Sequence, residues 1–314
     1  MKFISDSNDL SNYLNQSAPK NIDIKDISTD TRTIVKGSLF IGIKGNNFNG
    51  NDFVEDAIHK GAYLVITDSR KYINHKNENI VYVDNSVSAL RRIASNIIKS
   101  FDGNVVGITG SNGKTTTTSL VASIFTEASL DPTFINGGII NSFASNAKLG
   151  KGDYLVAEAD ESDQSFLMLQ PSVSIITNIE EDHLINYGND FENLRQAFLS
   201  FVKKLPFDGL LIACGDDPEV QKLLPQCSRP NVTYGFDETN DYVISNYEPS
   251  EFRSHFLLTY ANQSIHIDLN MLGRHNALNA SAACVLAIEE GVDTSIIQVA
   301  LKNFMGISRR MQVV

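Results

Sequence analysis

The sequence predicts an α/β chain of two units: a small N-terminal α/β domain, and a larger P-loop ATPase-like domain with a mostly parallel sheet and an antiparallel ribbon. Three observations predict it. Apolar runs of strand length alternate with stretches of helical spacing along most of the chain, the pattern of a parallel sheet covered by helices. The 314 residues exceed what one core usually sustains, since single cores stop growing at roughly 250–300 residues. The stretch GITGSNGKTTTT (107–118) sets a glycine turn and Lys-Thr between an apolar strand and a helix, which are the physical parts of a phosphate cradle.

Taken in order, GSLFIGIKG (37–45) and AYLVITD (62–68) read as buried strands bounded by Gly and Asp. Between them NDFVEDAIHKGA (51–62) has helical spacing and closes on Gly61, the place of a C′ glycine. An amphipathic run over 87–98 precedes SFDG (100–103), read as the linker. The expected division is therefore 1–98, 99–306 and a short terminal segment 307–314. The second unit runs strand-then-helix. NVVGIT (104–109) is followed by a helix over 114–128, and DYLVAEA (153–159) and VSIITNI (173–179) are buried strands ending in polar turns. A helix over 191–204 and a strand in GLLIACGDD (209–217) follow. From about 232 to 270 the residues alternate around an ANQS turn, predicting an antiparallel ribbon. Helices over 275–290 and 294–304 come last, with Asp293 as N-cap of the second.

Composition bounds the function. Hydrophobic content of 42% and charged content of 20% belong to an ordinary globular protein. A net charge of −11 argues against nucleic acid as a partner, which needs a basic footprint, but a local loop can still bind an anion. Cys214, Cys227 and Cys284 are scattered and form no CxxC pair, which suits reduced thiols rather than a disulfide framework or zinc site. No signal-peptide core and no run of 18 apolar residues occurs, so a cytoplasmic protein without a membrane span is expected. Oligomeric state is not legible.

The phosphate loop departs from the G-x-x-x-x-G-K-[ST] count: Ile108 stands where the first glycine should be, and Gly107 and Gly110 are out of register. Its chemistry is intact. Gly110, Ser111, Asn112 and Gly113 let the backbone wrap a phosphate, and the helix N-terminus adds roughly half a positive charge. Lys114 neutralises the β/γ-phosphates, while Thr115 can ligate Mg²⁺ and Thr116 continues the turn. A second element, VAEADESD (156–163), is a carboxylate cluster at a strand end, where doubly wound sheets place their sites. Glu158, directly after the apolar run, is the candidate Mg²⁺ carboxylate. Asp160, Glu161 and Asp163 read equally well as a solvated acidic turn. In TNIEEDH (177–183), at another strand end beside Asp182, His183 is a candidate second-metal or substrate ligand and Asn178 a candidate substrate contact. In GRHNALNASAA (273–283), Asn276 and Asn279 share a helix face. Their amides match the edge of adenine and His275 can stack, with ordinary N-capping by Asn an equal alternative.

In this order GSNGKTTTT, EADESD, TNIEEDH…Y, RQAFLSFVKKLPFDG and GRHNALNA closely resemble the Mur ligase family over about 104–312. These are ATP-dependent amide-bond-forming enzymes of peptidoglycan precursor synthesis, and the compact loop with two residues between Gly110 and Gly113 is the form they use. The resemblance implies ATP and Mg²⁺, Lys114 on the phosphates, Thr115 and Glu158 on Mg²⁺, and His183 at a second metal. It implies His275, Asn276 and Asn279 around the adenosine, with Arg310 counted among the nucleotide contacts. The implied reaction activates the carboxylate of a UDP-N-acetylmuramyl substrate as an acyl phosphate, which an amino acid attacks.

Within the family, LVAEADESDQSFL and FENLRQAFLSFVKKLPF look most like the UDP-N-acetylmuramate–L-alanine ligases (MurC). Several other members carry a carbamylated lysine where Phe198 stands, which again fits the alanine-adding branch. That branch begins with a GxGGxG loop, absent from 1–98. Instead DISTDTRTIVKGSLFIGIKGNNFNGNDFVEDAIHKGA resembles the UDP-binding domain of the later ligases (MurE and MurF), pointing to Thr31, Arg32, Asn46 and Asn47 at the uridine. Ile185 replaces a family Asp. GISRRMQVV matches the start of the family's hinge, so a fragment or truncated product lacking the third domain is expected. Two alternatives stand beside this reading. A folylpolyglutamate synthase relative is opposed by the long segment before the loop. A nucleotide-binding module without catalysis is favoured by Ile185 and opposed by Lys114, Glu158 and His183.

Overall fold

In a computed structural model, which describes residues 10–11, 14, 24, 26–45 and 48–307, the chain separates into Met1–Phe101 and Asp102–Val314. The first unit holds β1 (Asp26–Ser28), β2 (Ser38–Gly42), β3 (Leu64–Thr67) and β4 (Ile80–Tyr82), paired in that order and all parallel. Every residue of β2 and β3 is buried, as strands covered on both faces must be. Successive side chains serve opposite faces. Phe40 and Val65 pack with Val54 and Ala57 of α1 (Val54–His59). Leu39, Ile41, Leu64 and Ile66 pack with Ala89, Ile93 and Ile97 of α2 (Ser86–Lys99). Asn85 caps α2 by accepting from Ser88 N at 2.7 Å, and Gly61 ends the α1 turn at φ +103° as its position predicts.

The second unit carries one mixed sheet. Its strands are β5 (Asn104–Thr109), β6 (Thr133–Ile140), β7 (Ser145–Lys148), β8 (Tyr154–Glu158), β9 (Val173–Ile176), β10 (Leu210–Cys214), β11 (Asn231–Gly235), β12 (Tyr242–Pro249), β13 (Ser254–Tyr260) and β14 (Gln263–Leu269). Their order is β14-β13-β12-β11-β10-β9-β5-β8-β6-β7. Pairing is parallel from β6 through β8, β5, β9, β10 and β11 to β12, and antiparallel at both ends. The antiparallel ribbon therefore starts at Tyr242 rather than near 232, because β11 joins the parallel sheet. Its tight turn holds Ala261 and Asn262 at φ +44° and +63°, the left-handed pair that a two-residue hairpin requires. The β6–β7 hairpin has no counterpart among the expected elements.

The helices of this unit are α3 (Lys114–Glu127), α4 (Phe191–Val202), α5 (Pro218–Leu223), α6 (Arg274–Glu289) and α7 (Thr294–Lys302). Both α3 and α6 are buried almost all round, so neither shows an apolar stripe. Ala277, Ala280, Ala283 and Ala287 on α6 have no exposed surface, which lets its backbone come close to its neighbours. Asp293 accepts from Ser295 N at 2.8 Å and caps α7 as expected. Phe198 and Phe201 of α4 are fully buried against Phe166, with ring centroids 5.6 and 5.1 Å away. Cys214, Cys227 and Cys284 are free thiols. Among the described residues no helix is long and apolar enough to cross a membrane.

The Phe166–Phe198–Phe201 cluster sets a stability test. Phe198→Ala is expected to lower the unfolding free energy by about 3–5 kcal/mol, against about 1 kcal/mol for Asp293→Ala. Urea denaturation of both variants checks the ranking, and equal losses would contradict it.

Candidate functional site

Strand β5 lies where the sheet order reverses, with β8 on one side and β9 on the other. Loops after the three strands leave the same edge, the crevice that doubly wound sheets use for ligands. Gly110 and Gly113 take φ +136° and +85°, and a Cβ would strike Thr177 Oγ1 at the first and Asn279 Oδ1 at the second. Close approach as well as backbone conformation therefore demands glycine at both places. The loop is pinned from the β9 side. Ser111 N donates to Asn178 O at 3.1 Å and Asn112 N to Asn178 Oδ1 at 2.7 Å. Thr177 Oγ1 donates to Asn112 O at 2.5 Å, and Glu180 N to Ser111 Oγ at 2.8 Å. No side chain caps α3 at Gly113, so its first-turn N–H groups keep their donors for a ligand.

Lys114 Nζ donates to Gly110 O at 2.7 Å and to Glu161 Oε1 at 2.9 Å. Glu161 Oε2 lies 2.8 Å from the same nitrogen, so the ammonium is close to both carboxylate oxygens. The pair is buried, with 12% of the lysine side chain and 2% of the glutamate exposed. Burial pushes the Glu161 carboxyl above its usual range, and the Lys114 ammonium pulls it only part of the way back. The solvated-turn reading thus fails for Glu161. It holds for Asp160 and Asp163, which are exposed and accept from Ser162 N and Ser165 N, both at 2.9 Å. The loops after β8 and β9 are braced together. The Tyr187 hydroxyl donates to the Glu161 carbonyl, Gln164 Nε2 to Asn186 O at 2.7 Å, and Asn186 Nδ2 to Ser162 O at 2.6 Å.

Thr115 Oγ1 donates to Glu158 Oε1 at 3.0 Å, and Gly137 N donates to Glu158 Oε2 at 2.6 Å. A hydroxyl beside a carboxylate is a hard-oxygen donor set that fits Mg²⁺. A Cβ at Gly137 would come within 2.8 Å of Glu158 Oε2, so the glycine at this place in β6 makes room for the carboxylate. His183 has φ +54° and is more than half exposed, with Nε2 3.5 Å from Asp182 Oδ2. Among the described residues no three or more His, Cys, Asp or Glu side chains form a metal cluster. Ile185 is 79% exposed, and Phe198 occupies the core.

A cavity of about 530 Å³ opens beside the loop, lined by Asn112, Gly113 and Thr116 and by His275, Asn276 and Asn279 from α6. The capping alternative for the asparagines falls, since Gly273 holds the N-cap position without any side-chain bond. Asn276 Nδ2 donates instead to Leu272 O at 2.7 Å, and Thr117 Oγ1 to Asn279 Oδ1 at 3.4 Å. Two residues that no motif marks support this corner. The Arg274 guanidinium lies 3.6 Å from the Phe236 ring centroid, a cation–π contact, and Gly273 N donates to the Tyr247 hydroxyl at 3.1 Å.

In the first unit, Arg32 forks onto Asp30 with Nη2–Oδ2 at 2.6 Å and Nε–Oδ1 at 3.0 Å, leaving 85% of its side chain exposed. That hydrogen-bonded guanidinium lowers the Asp30 carboxyl to about 2. Asp56, whose carboxyl the Lys60 ammonium 3.0 Å away holds below its usual range, lies close to Thr31. Asn46, Asn47 and Arg310 lie outside the described residues.

Gly113→Ala combines a left-handed backbone with a collision at Asn279. It is expected to lower the unfolding free energy by at least about 1–2 kcal/mol, and a neutral effect in urea denaturation would show that the loop relaxes freely.

Comparison with known proteins places this geometry. Residues 108–287 match the Mur ligase middle domain, and residues 23–101 match the model described as Mur ligase family, catalytic domain. MurF from Acinetobacter baumannii superposes with a TM-score of 0.79 at 22% identity, over 98% of this chain and 70% of that one. MurF from Thermotoga maritima in complex with ADP gives 0.73 at 23% identity, over 89% and 67%. The UDP-N-acetylmuramate–alanine ligase MurC from Thermotoga maritima gives 0.66 at 25% identity, over 87% and 64%. With the middle-domain match alone spanning more than half of its residues, the chain belongs to the Mur ligase family, the ATP-dependent ligases of peptidoglycan precursors.

Proposed function

We propose that this chain carries the ATP-binding, carboxylate-activating core of a ligase acting on a UDP-N-acetylmuramyl substrate. The observation that carries the reading is the meeting of Lys114 with the Thr115–Glu158 pair, beside a cavity walled by Gly113, His275, Asn276 and Asn279. Adenosine sits in that cavity and the phosphates on the 110–116 loop. Thr115 and Glu158 would hold Mg²⁺, which supplies charge neutralisation on the phosphates, and His183 is the candidate ligand of a second ion. The substrate carboxylate attacks the γ-phosphorus and ADP leaves, giving an acyl phosphate. The amino acid's amine then attacks the acyl carbon, phosphate departs, and the amine proton passes to solvent. The chain contributes position and electrostatics rather than a nucleophile. Thr31, Arg32, Asn46 and Asn47 are assigned to the uridine, and Arg310 to the nucleotide. The Asn178 side-chain oxygen is taken by the loop, so its substrate contact falls to the amide N–H groups.

L-Alanine is the proposed amino acid, supported by the EADESD segment and by Phe198 in place of a lysine. A second reading is favoured by the likeness of the whole chain to MurF. One such neighbour is a UDP-N-acetylmuramoylalanyl-D-glutamyl-2,6-diaminopimelate–D-alanyl-D-alanyl ligase. Phosphate release from Mg-ATP distinguishes the two. UDP-N-acetylmuramate with L-alanine is expected to support it, and Lys114→Ala to reduce it by about 10²–10³-fold. Release only with the diaminopimelate-containing substrate and D-alanyl-D-alanine would establish the second reading. ADP binding without release from either pair would leave a nucleotide-binding module and contradict the ligase proposal.

A further inference from the structure

The carboxylate that meets Lys114 is not the one placed for the metal. Glu158 faces Thr115, whereas Glu161 lies one loop turn further on and closes over the ammonium. Three features make this more than a chance contact. Glu161 is 2% exposed and both of its carboxylate oxygens lie within 2.9 Å of Lys114 Nζ, so the lysine is the cation that offsets its burial. The glutamate is held by its own backbone: the buried Tyr187 hydroxyl donates to its carbonyl, and the Gln164–Asn186 bonds fix the loop on either side. Lys114 itself is stretched between two acceptors, Gly110 O and Glu161, at the start of an uncapped helix.

We propose that Glu161 is the positioning residue of the phosphate site: it fixes the Lys114 ammonium at the mouth of the loop and gives up ground-state nucleotide affinity in doing so. A phosphate arriving at the loop meets a lysine whose charge is already balanced, and it must share that lysine with Glu161. The gain is placement. The ammonium is restricted to one spot before the phosphates arrive, as electrostatic stabilisation of a transferred group requires. This inference rests on the nucleotide-site reading above.

The test is calorimetric binding of AMP, Mg-ADP and a non-hydrolysable Mg-ATP analogue to the full chain. Glu161→Gln is expected to bind ADP and the ATP analogue at least about 5-fold tighter, since one unit charge about 4 Å away is worth roughly 1 kcal/mol even at the dielectric of water. AMP affinity should change by less than about twofold, because its single phosphate is remote from Lys114. A purely structural role for Glu161 would shift all three ligands alike or weaken them, and either result overturns the proposal. If Glu161→Gln does not fold, Glu161→Asp, which withdraws the carboxylate by one methylene, must show the same sign and the same dependence on phosphate number. Unchanged or weaker ADP binding in it would equally overturn the proposal. Wild-type chain that binds ADP no more tightly than AMP would instead overturn the site reading itself. Normal ADP preference with an unresponsive Glu161 variant overturns only the role of Glu161.

Discussion

The candidate site depends on the buried ion pair between Lys114 and Glu161. Such a pair contributes little net stability, because the cost of removing both charges from water roughly cancels their attraction. Its value is geometric. Three strand ends build it, and each supplies a different part. The end of β5 leads to the Gly110 carbonyl and to Lys114 at the start of α3, β8 ends on Glu158 with Glu161 in the loop after it, and the segment after β9 gives Asn178 and Tyr187 as braces. The order β9-β5-β8 in the sheet is what makes these loops neighbours. The proposed nucleotide site rests on the same convergence, which leaves the first turn of α3 uncapped beside a cavity.

Much of this was legible locally. The β5 strand, the glycine turn and α3 form a contiguous strand–turn–helix signal, and Glu158 announces itself by following an apolar run at a strand end. Glu161 was not separable from Asp160 and Asp163, because the three share one short acidic segment. What buries it comes from Lys114, 47 residues earlier, and Tyr187, 26 residues later. Asn178 has the same history: its role as a loop brace is set by a partner 66 residues away. The β6–β7 hairpin escaped because TFINGGII carries an Asn-Gly-Gly run that reads as a turn. The structure shows another reason for the first of those glycines, since Gly137 gives its N–H to Glu158 and has no room for a side chain. β11 escaped because alternation alone cannot distinguish the last parallel strand from the first ribbon strand.

Phe198 illustrates how one position divides the family's chemistry from its packing. The resemblance places a modified lysine there in several ligases, yet here the side chain is fully buried among Phe166 and Phe201. That face of α4 is committed to supporting the loop after β8, whose Phe166 N donates to Asp160 O at 3.1 Å. In the proposed phosphate site the positive charge of this chain comes from Lys114 and the N-terminus of α3. In sequence the first unit reads like one branch of the family and the middle segments like another, which is why two substrate readings are proposed.

A crystal structure of the chain with Mg-ADP bears most directly on the central claim that these three loops form one nucleotide site. The β-phosphate is predicted to lie within hydrogen-bonding distance of Lys114 Nζ and the first-turn N–H groups of α3, with the metal on Thr115 and Glu158. The adenine should sit between His275 and the Asn276–Asn279 face. Nucleotide bound elsewhere, with Lys114 still engaged by Glu161 alone, would contradict it.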